Sequence, residues 1–323
     1  MLIPAPPLTP YHRLARTAAH RWWRPLVGTV LVVVGGGALM LLLIGVLEIA
    51  GLVAGRPRNA DGLSSFGPLT DLAGAFLMIA VFLPVTLLAA RWVQRRPAGS
   101  LSSVTGRLRL RWLLTCLPVA AVAVVALLGG GITLAAATGE DVGLDTALAG
   151  WGPFVVATAV LLLVVPVQAA AEEYLTRGWL LQAVGTVCRS PWIPIAVQAL
   201  VFAALHGWGT PWGFADLVVF GVVIGWLTVR TGGLEAAIAL HVLNNLLSGL
   251  LGAAFGDLTV DETAADMPWQ FVAVDVPVLL AYAALVLRLA RRRGLDTRTP
   301  AERTTNLIES GQHAEPRMLA GYR

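Results

Sequence analysis

Six side chains interrupt apolar stretches of this chain in patterns that could do chemistry: Glu172, Glu173, Arg177, His206, His241 and Asn245. Ionisable groups are costly inside hydrocarbon, so carboxylates, imidazoles and an amide found there usually serve a site. They fall into three groups: Glu172-Glu173-x-x-x-Arg177, Phe202-x-x-x-His206 and His241-x-x-x-Asn245. On a helix Glu173 and Arg177 share a face and suit an ion pair that orients the helix, whereas Glu172 points about 100° away. With no basic partner on its own face, Glu172 is free to accept a proton, as a general base must. His241 and Asn245 stack one turn apart and can both donate to a single oxygen atom, the layout of an oxyanion hole. The competing reading of that pair is interhelical hydrogen bonding, worth about 0.6 to 2 kcal/mol per contact in a membrane.

The elements that must position these groups are membrane helices. Hydrophobic residues make up 57% of the chain and charged residues 13%, with a mean hydropathy of +0.74, far from the soluble-globular average. Apolar runs near 26–47, 69–90, 112–137, 151–171, 191–207, 213–229, 234–254 and 268–288 each suffice to cross about 30 Å of hydrocarbon. They predict about eight transmembrane helices. The runs are continuous rather than alternating, and lipid admits only helices or closed barrels, so the predicted fold class is an all-α polytopic membrane protein.

Five stretches follow: an N-terminal segment 1–25, membrane helices over 26–149, a core over 150–255 that holds the polar groups, a last helix within 256–293, and a polar, aperiodic tail 294–323 expected to be mobile. Under an N-inside topology the loops of one side collect Arg13, Arg16, Arg21, Arg24, Arg91, Arg95, Arg96, Arg107, Arg109, Arg111, Arg189, Arg230 and the 288–293 cluster, against Arg56 and Arg58 on the other. Both termini are therefore expected in the cytoplasm. Glu140, Asp141, Asp145, Asp257, Asp261, Glu262 and Asp266 fall on the opposite side. The net charge of +4 is explained by these border arginines, which also attract anionic lipid head groups, and no nucleic-acid site is indicated. All 23 basic residues are arginine, which hints at a GC-rich genome and a bacterial cell membrane. The first apolar run is too long for a signal-peptide core and reads as a retained helix. Cys116 and Cys188 have no metal-type spacing and read as packing residues.

The remaining polar residues take plain readings. Glu48, Asp71, Asp216, Glu235 and Asp275 sit near predicted helix ends, where water or head groups can solvate them. Gly221-x-x-x-Gly225 suits close helix approach. Arg107-x-Arg109-x-Arg111 suits a membrane-surface anchor.

Glu172-Glu173-Tyr174-Leu175-Thr176-Arg177, Phe202-Ala203-Ala204-Leu205-His206 and His241-Val242-Leu243-Asn244-Asn245 resemble, in order, the three motifs of the CPBP family of intramembrane proteases, the CAAX-protease and bacteriocin-processing group also called ABI or Rce1-like. The resemblance covers roughly 150–255. It implies an endopeptidase acting on a membrane-associated protein or peptide in the lipid bilayer. Glu172 would be the general base, His206 would help activate a water, His241 and Asn245 would stabilise the oxyanion, and Glu173 with Arg177 would hold the helix in register. Family members are commonly labelled metalloproteases, and Glu172, His206 and His241 could supply the three protein ligands of an open zinc site. Asn245 favours the metal-free, glutamate-dependent alternative, since amides are good oxyanion donors and unusual zinc ligands.

The predicted spans place these groups at three depths: Glu172 at a helix end, His241 near the middle of its helix, and His206 toward the far end of another. One site requires either a long, bent helix around Pro166 or a fifth helix that begins inside the membrane at Pro191 and Pro194. Two further classes compete with the peptidase: a non-catalytic scaffold or bacteriocin self-immunity protein of the same fold, and a proton-coupled transporter relaying through Glu172 and His206. The transporter lacks the internal pseudo-symmetry usual in that class.

Overall fold

The apolar runs become ten α-helices in this computed structural model, which describes residues 1–59, 61–140, 147–258 and 263–301. Asp141, Asp145, Asp261, Glu262 and the tail from residue 302 lie outside the described residues. No strand forms among the described residues, and seven helices or helix stacks are long and apolar enough to cross a membrane, with a shorter apolar helix, Trp192–Leu205, beside them. The protein is an all-α, polytopic integral membrane protein.

In chain order the passes are α1 (Trp23–Val53), α2 (Pro68–Ala80) stacked end to end on α3 (Phe82–Trp92), α4 (Leu110–Thr138), α5 (Trp151–Glu173), α7 (Trp192–Leu205), α8 (Pro211–Thr231), α9 (Glu235–Phe255) and α10 (Trp269–Arg292). Between α5 and α7, a π-helical stretch at Tyr174–Leu180 leads directly into α6 (Leu181–Gly185). Local chemistry sets several ends. Pro211 occupies the first turn of α8, where its missing N–H costs nothing, and the Thr210 hydroxyl accepts from Gly213 N–H. Gly232 ends α8 at φ 71°, in the left-handed region that a side chain would strain.

Two spans differ from the sequence expectation, and both differences bear on the site. The pass expected over 151–171 continues to Gly185, so Glu172 lies well inside a helix rather than at its end. The pass expected over 191–207 is only Trp192–Leu205, roughly 21 Å at 1.5 Å per residue, and stops short of a full crossing. The long helix and the short helix together remove the three-depth conflict.

A main core joins α4, α8, α9 and α10. Ala120, Ala123, Ala236, Ala237 and Ala283 are all buried there and let the backbones approach, and the Tyr282 hydroxyl donates to the Ala236 carbonyl at 2.7 Å. Gly221 and Gly225 serve the expected close approach: a Cβ on Gly221 would meet Ala199 at 2.7 Å, and one on Gly225 would meet Gln198 Nε2 at 2.5 Å. Cys116 and Cys188 are both free thiols.

Loops carrying most of the arginines gather at one end of the bundle and are stitched together. Tyr11 donates to the Leu101 carbonyl, Arg16 donates to the Thr186 carbonyl at 2.9 Å, and Val104 N–H donates to the Gly232 carbonyl at 2.9 Å. Arg109 turns inward to a fully buried Glu235 at 2.7 Å, rather than outward to a membrane surface. Glu235 is thus not solvated at its helix end. The first residues beyond α10 also depart from the expected mobile tail: Thr299 N–H donates to the Thr9 carbonyl at 3.0 Å and Thr9 N–H returns a bond to the Thr299 hydroxyl at 2.8 Å.

Candidate active site

Glu172 and Glu173 stand where α5 runs on into the π-helical stretch, His206 caps α7, and His241 and Asn245 lie in α9; the fold brings all of them together. The two adjacent carboxylates lead different lives. Glu173 is fully buried, and its Oε1 accepts from Arg177 Nη1 at 3.0 Å and from His241 Nδ1 at 2.8 Å. Arg177, also fully buried, lays its guanidinium 4.1 Å from the Phe202 ring centre and 5.4 Å from that of Phe220. Buried charges persist when paired, and here the guanidinium offsets the carboxylate and lies against two aromatic rings, although Glu173 Oε2 and Arg177 Nε and Nη2 have no hydrogen-bond partner among the described residues. Glu173 and Arg177 therefore do more than join two turns of one helix. They fix the ring of His241, whose edge also meets Phe202 and Phe220 at 6.1 and 6.0 Å.

Glu172 faces the other way, into a cavity of about 550 Å³ bounded by α2, α4, α5, α7, α8, α9 and α10. Its Oε2 has no hydrogen-bond partner among the described residues, and lies 3.6 Å from His241 Nε2 and 3.9 Å from His206 Nε2. Each imidazole is held through its other nitrogen: His241 Nδ1 by Glu173, and His206 Nδ1 at 2.9 Å by the Phe202 carbonyl. A carbonyl only accepts, so His206 carries a proton on Nδ1, and in the neutral ring Nε2 is then the acceptor that faces Glu172.

Gln168 is the residue that sequence reasoning missed. Its side-chain N–H donates to Glu172 Oε1, and its carbonyl oxygen accepts from Asn245 Nδ2 at 3.0 Å. The bridge occupies one oxygen of Glu172, leaves the other free, and uses only one of the two Asn245 N–H groups. A signal existed: Gln168 precedes Glu172 by four residues in an otherwise apolar helix, so it must share that face. The π-helical stretch beginning at Tyr174, immediately after the two glutamates, had no such signal; π-turns frequently accompany functional sites.

Glu172, His206 and His241 are donors of the types zinc prefers, and Glu173 behind His241 resembles the outer carboxylate of many zinc sites. Their disposition does not close around an ion: among the described residues no group of three or more His, Cys, Asp or Glu side chains is arranged to hold a metal.

Residues 152–247, which contain all three motifs, match the family described as Type II CAAX prenyl endopeptidase Rce1-like. The resemblance drawn from the motifs is borne out over that stretch. The protein YyaK of Bacillus subtilis (strain 168), itself described as uncharacterized, is 32% identical over 99 residues, which is 29% of this chain and 33% of that protein. The match thus spans about a third of its relative's length. No solved structure matches.

Proposed function

We propose that the protein is an intramembrane endopeptidase that hydrolyses a peptide bond of a membrane-associated protein or peptide by a glutamate-activated water. The observation that carries this reading is Glu172 Oε2, which has no hydrogen-bond partner among the described residues and lies 3.6 and 3.9 Å from two restrained imidazole nitrogens at the edge of the cavity. Such separations suit a water that hydrogen-bonds to both groups at about 2.8 Å.

In this reading the water donates one hydrogen to Glu172 Oε2 and the other to His206 Nε2. Glu172 removes its proton as the oxygen bonds to the peptide carbonyl carbon, and the carbonyl π pair moves onto the carbonyl oxygen. That oxyanion accepts from the second N–H of Asn245 and from Nε2–H of His241, which acts as an imidazolium between Glu172 and Glu173. Collapse re-forms the carbonyl and breaks the C–N bond, and the leaving nitrogen takes the proton held by Glu172. Gln168, Glu173 and Arg177 touch no reacting atom and act by positioning. The arginine-rich end faces the cytoplasm of a bacterial membrane, with both termini on that side.

The test compares protein termini in membranes of cells carrying the wild type with those carrying Glu172→Gln at equal abundance. Termini that depend on Glu172 are expected. Identical termini would leave the scaffold or immunity reading in its place. Chelation is expected to leave cleavage unchanged; a loss restored by zinc would move Glu172, His206 and His241 into the ligand role.

A further inference from the structure

The cavity beside Glu172 is more acidic than peptide hydrolysis requires. Glu172, Asp216, Asp257 and Asp275 all line it, against the imidazoles of His206 and His241 beside Glu172, and among the described residues no arginine does, in a chain without lysine. The sequence reads Asp216 and Asp275 as solvated helix-end residues, but Asp216 of α8 is only 5% exposed and lies near Asp275 of α10 in the cavity wall. The Oδ1 of Asp216 has no hydrogen-bond partner, and neither aspartate joins an ion pair, among the described residues.

An acid pair that served only to join α8 to α10 would gain nothing from this arrangement. A buried carboxyl oxygen without a donor is a cost, and an apolar pair of similar volume would hold the helices as well. The neighbouring wall is apolar, contributed by Leu217, Phe220, Val278 and Leu279. In such a low-dielectric space an acidic group strongly favours a cation over a neutral occupant.

We propose that Asp216 and Asp275 form a subsite for a lysine or arginine side chain of the bound peptide, so that the protein selects membrane segments with a basic residue in the stretch the cavity holds. This rests on reading the cavity as the place where a peptide binds. It assigns a substrate class rather than a step of the reaction.

The test uses the full chain in lipid nanodiscs, disabled as Glu172→Gln, and exposes it to a pool of short apolar peptides randomised at every position. Retained peptides are sequenced and compared with those kept by Glu172→Gln carrying Asp216→Asn and Asp275→Asn as well. Lysine and arginine are expected to be enriched at one position by about tenfold or more, and the enrichment is expected to vanish in the triple variant. Asp275→Asn alone, which keeps an amide in place of one carboxyl, should reduce the enrichment while preserving the fold, and serves if the triple variant fails to form a monodisperse protein. Equal peptide composition on both proteins, or no peptides retained on either, would overturn the subsite. Because this readout needs no hydrolysis, enrichment without Glu172-dependent termini would sink the peptidase and spare the subsite. The reverse result would do the opposite.

Discussion

The two sides of the site are built from neighbouring residues and obey opposite rules. On the closed side Glu173, Arg177, Phe202 and His241 leave almost no accessible surface and pair with one another at 2.8 to 4.1 Å. On the open side Glu172 and His206 keep 12% and 21% of their side-chain surface and face a cavity, with Glu172 Oε2 free of any hydrogen bond among the described residues. Rotation by one residue along a helix separates them. A carboxylate bonded to a guanidinium and an imidazole away from the cavity stabilises and orients, whereas one that keeps an oxygen free of hydrogen bonds beside the cavity can exchange a proton; Glu173 and Glu172 divide these roles.

The division is tested most severely by two substitutions with opposite signatures. Glu172→Gln should lower the rate of peptide cleavage by about 10²- to 10⁴-fold, the usual contribution of a general base, with unchanged thermal unfolding in detergent. Arg177→Met should do the reverse in kind, because it leaves Glu173 buried without its guanidinium; a stability loss of about 3 to 5 kcal/mol is expected, read as a lowered unfolding midpoint. Equal destabilisation by both would erase the distinction between the sides. Gln168→Leu sits on the boundary. Freed from its bridge, Glu172 should lose orientation and kcat should fall by up to about 10²-fold with little change in KM. A rise in KM alone would assign Gln168 to substrate binding instead.

The smallest effect lies away from the site, at the arginine-rich end. Burial holds the His12 imidazole below its ordinary value of 6.5, against the opposing bond to the Arg189 carbonyl, while Arg13 and Arg298 add to the lowering. The unfolded chain therefore takes up the proton more readily than the folded one. The contribution of neutral His12 is complete above about pH 6.5 and is lost as pH falls through the depressed folded value. The unfolding midpoint of the wild type should thus fall on mild acidification by more than that of His12→Gln, by an amount worth about 1 kcal/mol or less. Identical pH dependence would show that His12 takes up its proton equally readily in the folded and the unfolded chain.

Much of this was legible along the chain because its signals are local. Continuous apolar runs fix all-α membrane passes, since lipid leaves the backbone no partner but itself. The four-residue spacing of Glu173 with Arg177, and of His241 with Asn245, fixes which side chains share a face. Only the tertiary structure decided the rest, because it depends on where helices end and what they meet. The run-on of α5 through a π-helical stretch and the early stop of α7 put Glu172 and His206 within reach of one another. The turn of Arg109 toward Glu235 and the meeting of Asp216 with Asp275 join residues far apart in the chain. Near a helix end, a carboxylate has the same sequence whether it faces water or another helix. Packing between distant segments makes that choice, through a desolvation cost that no local pattern records.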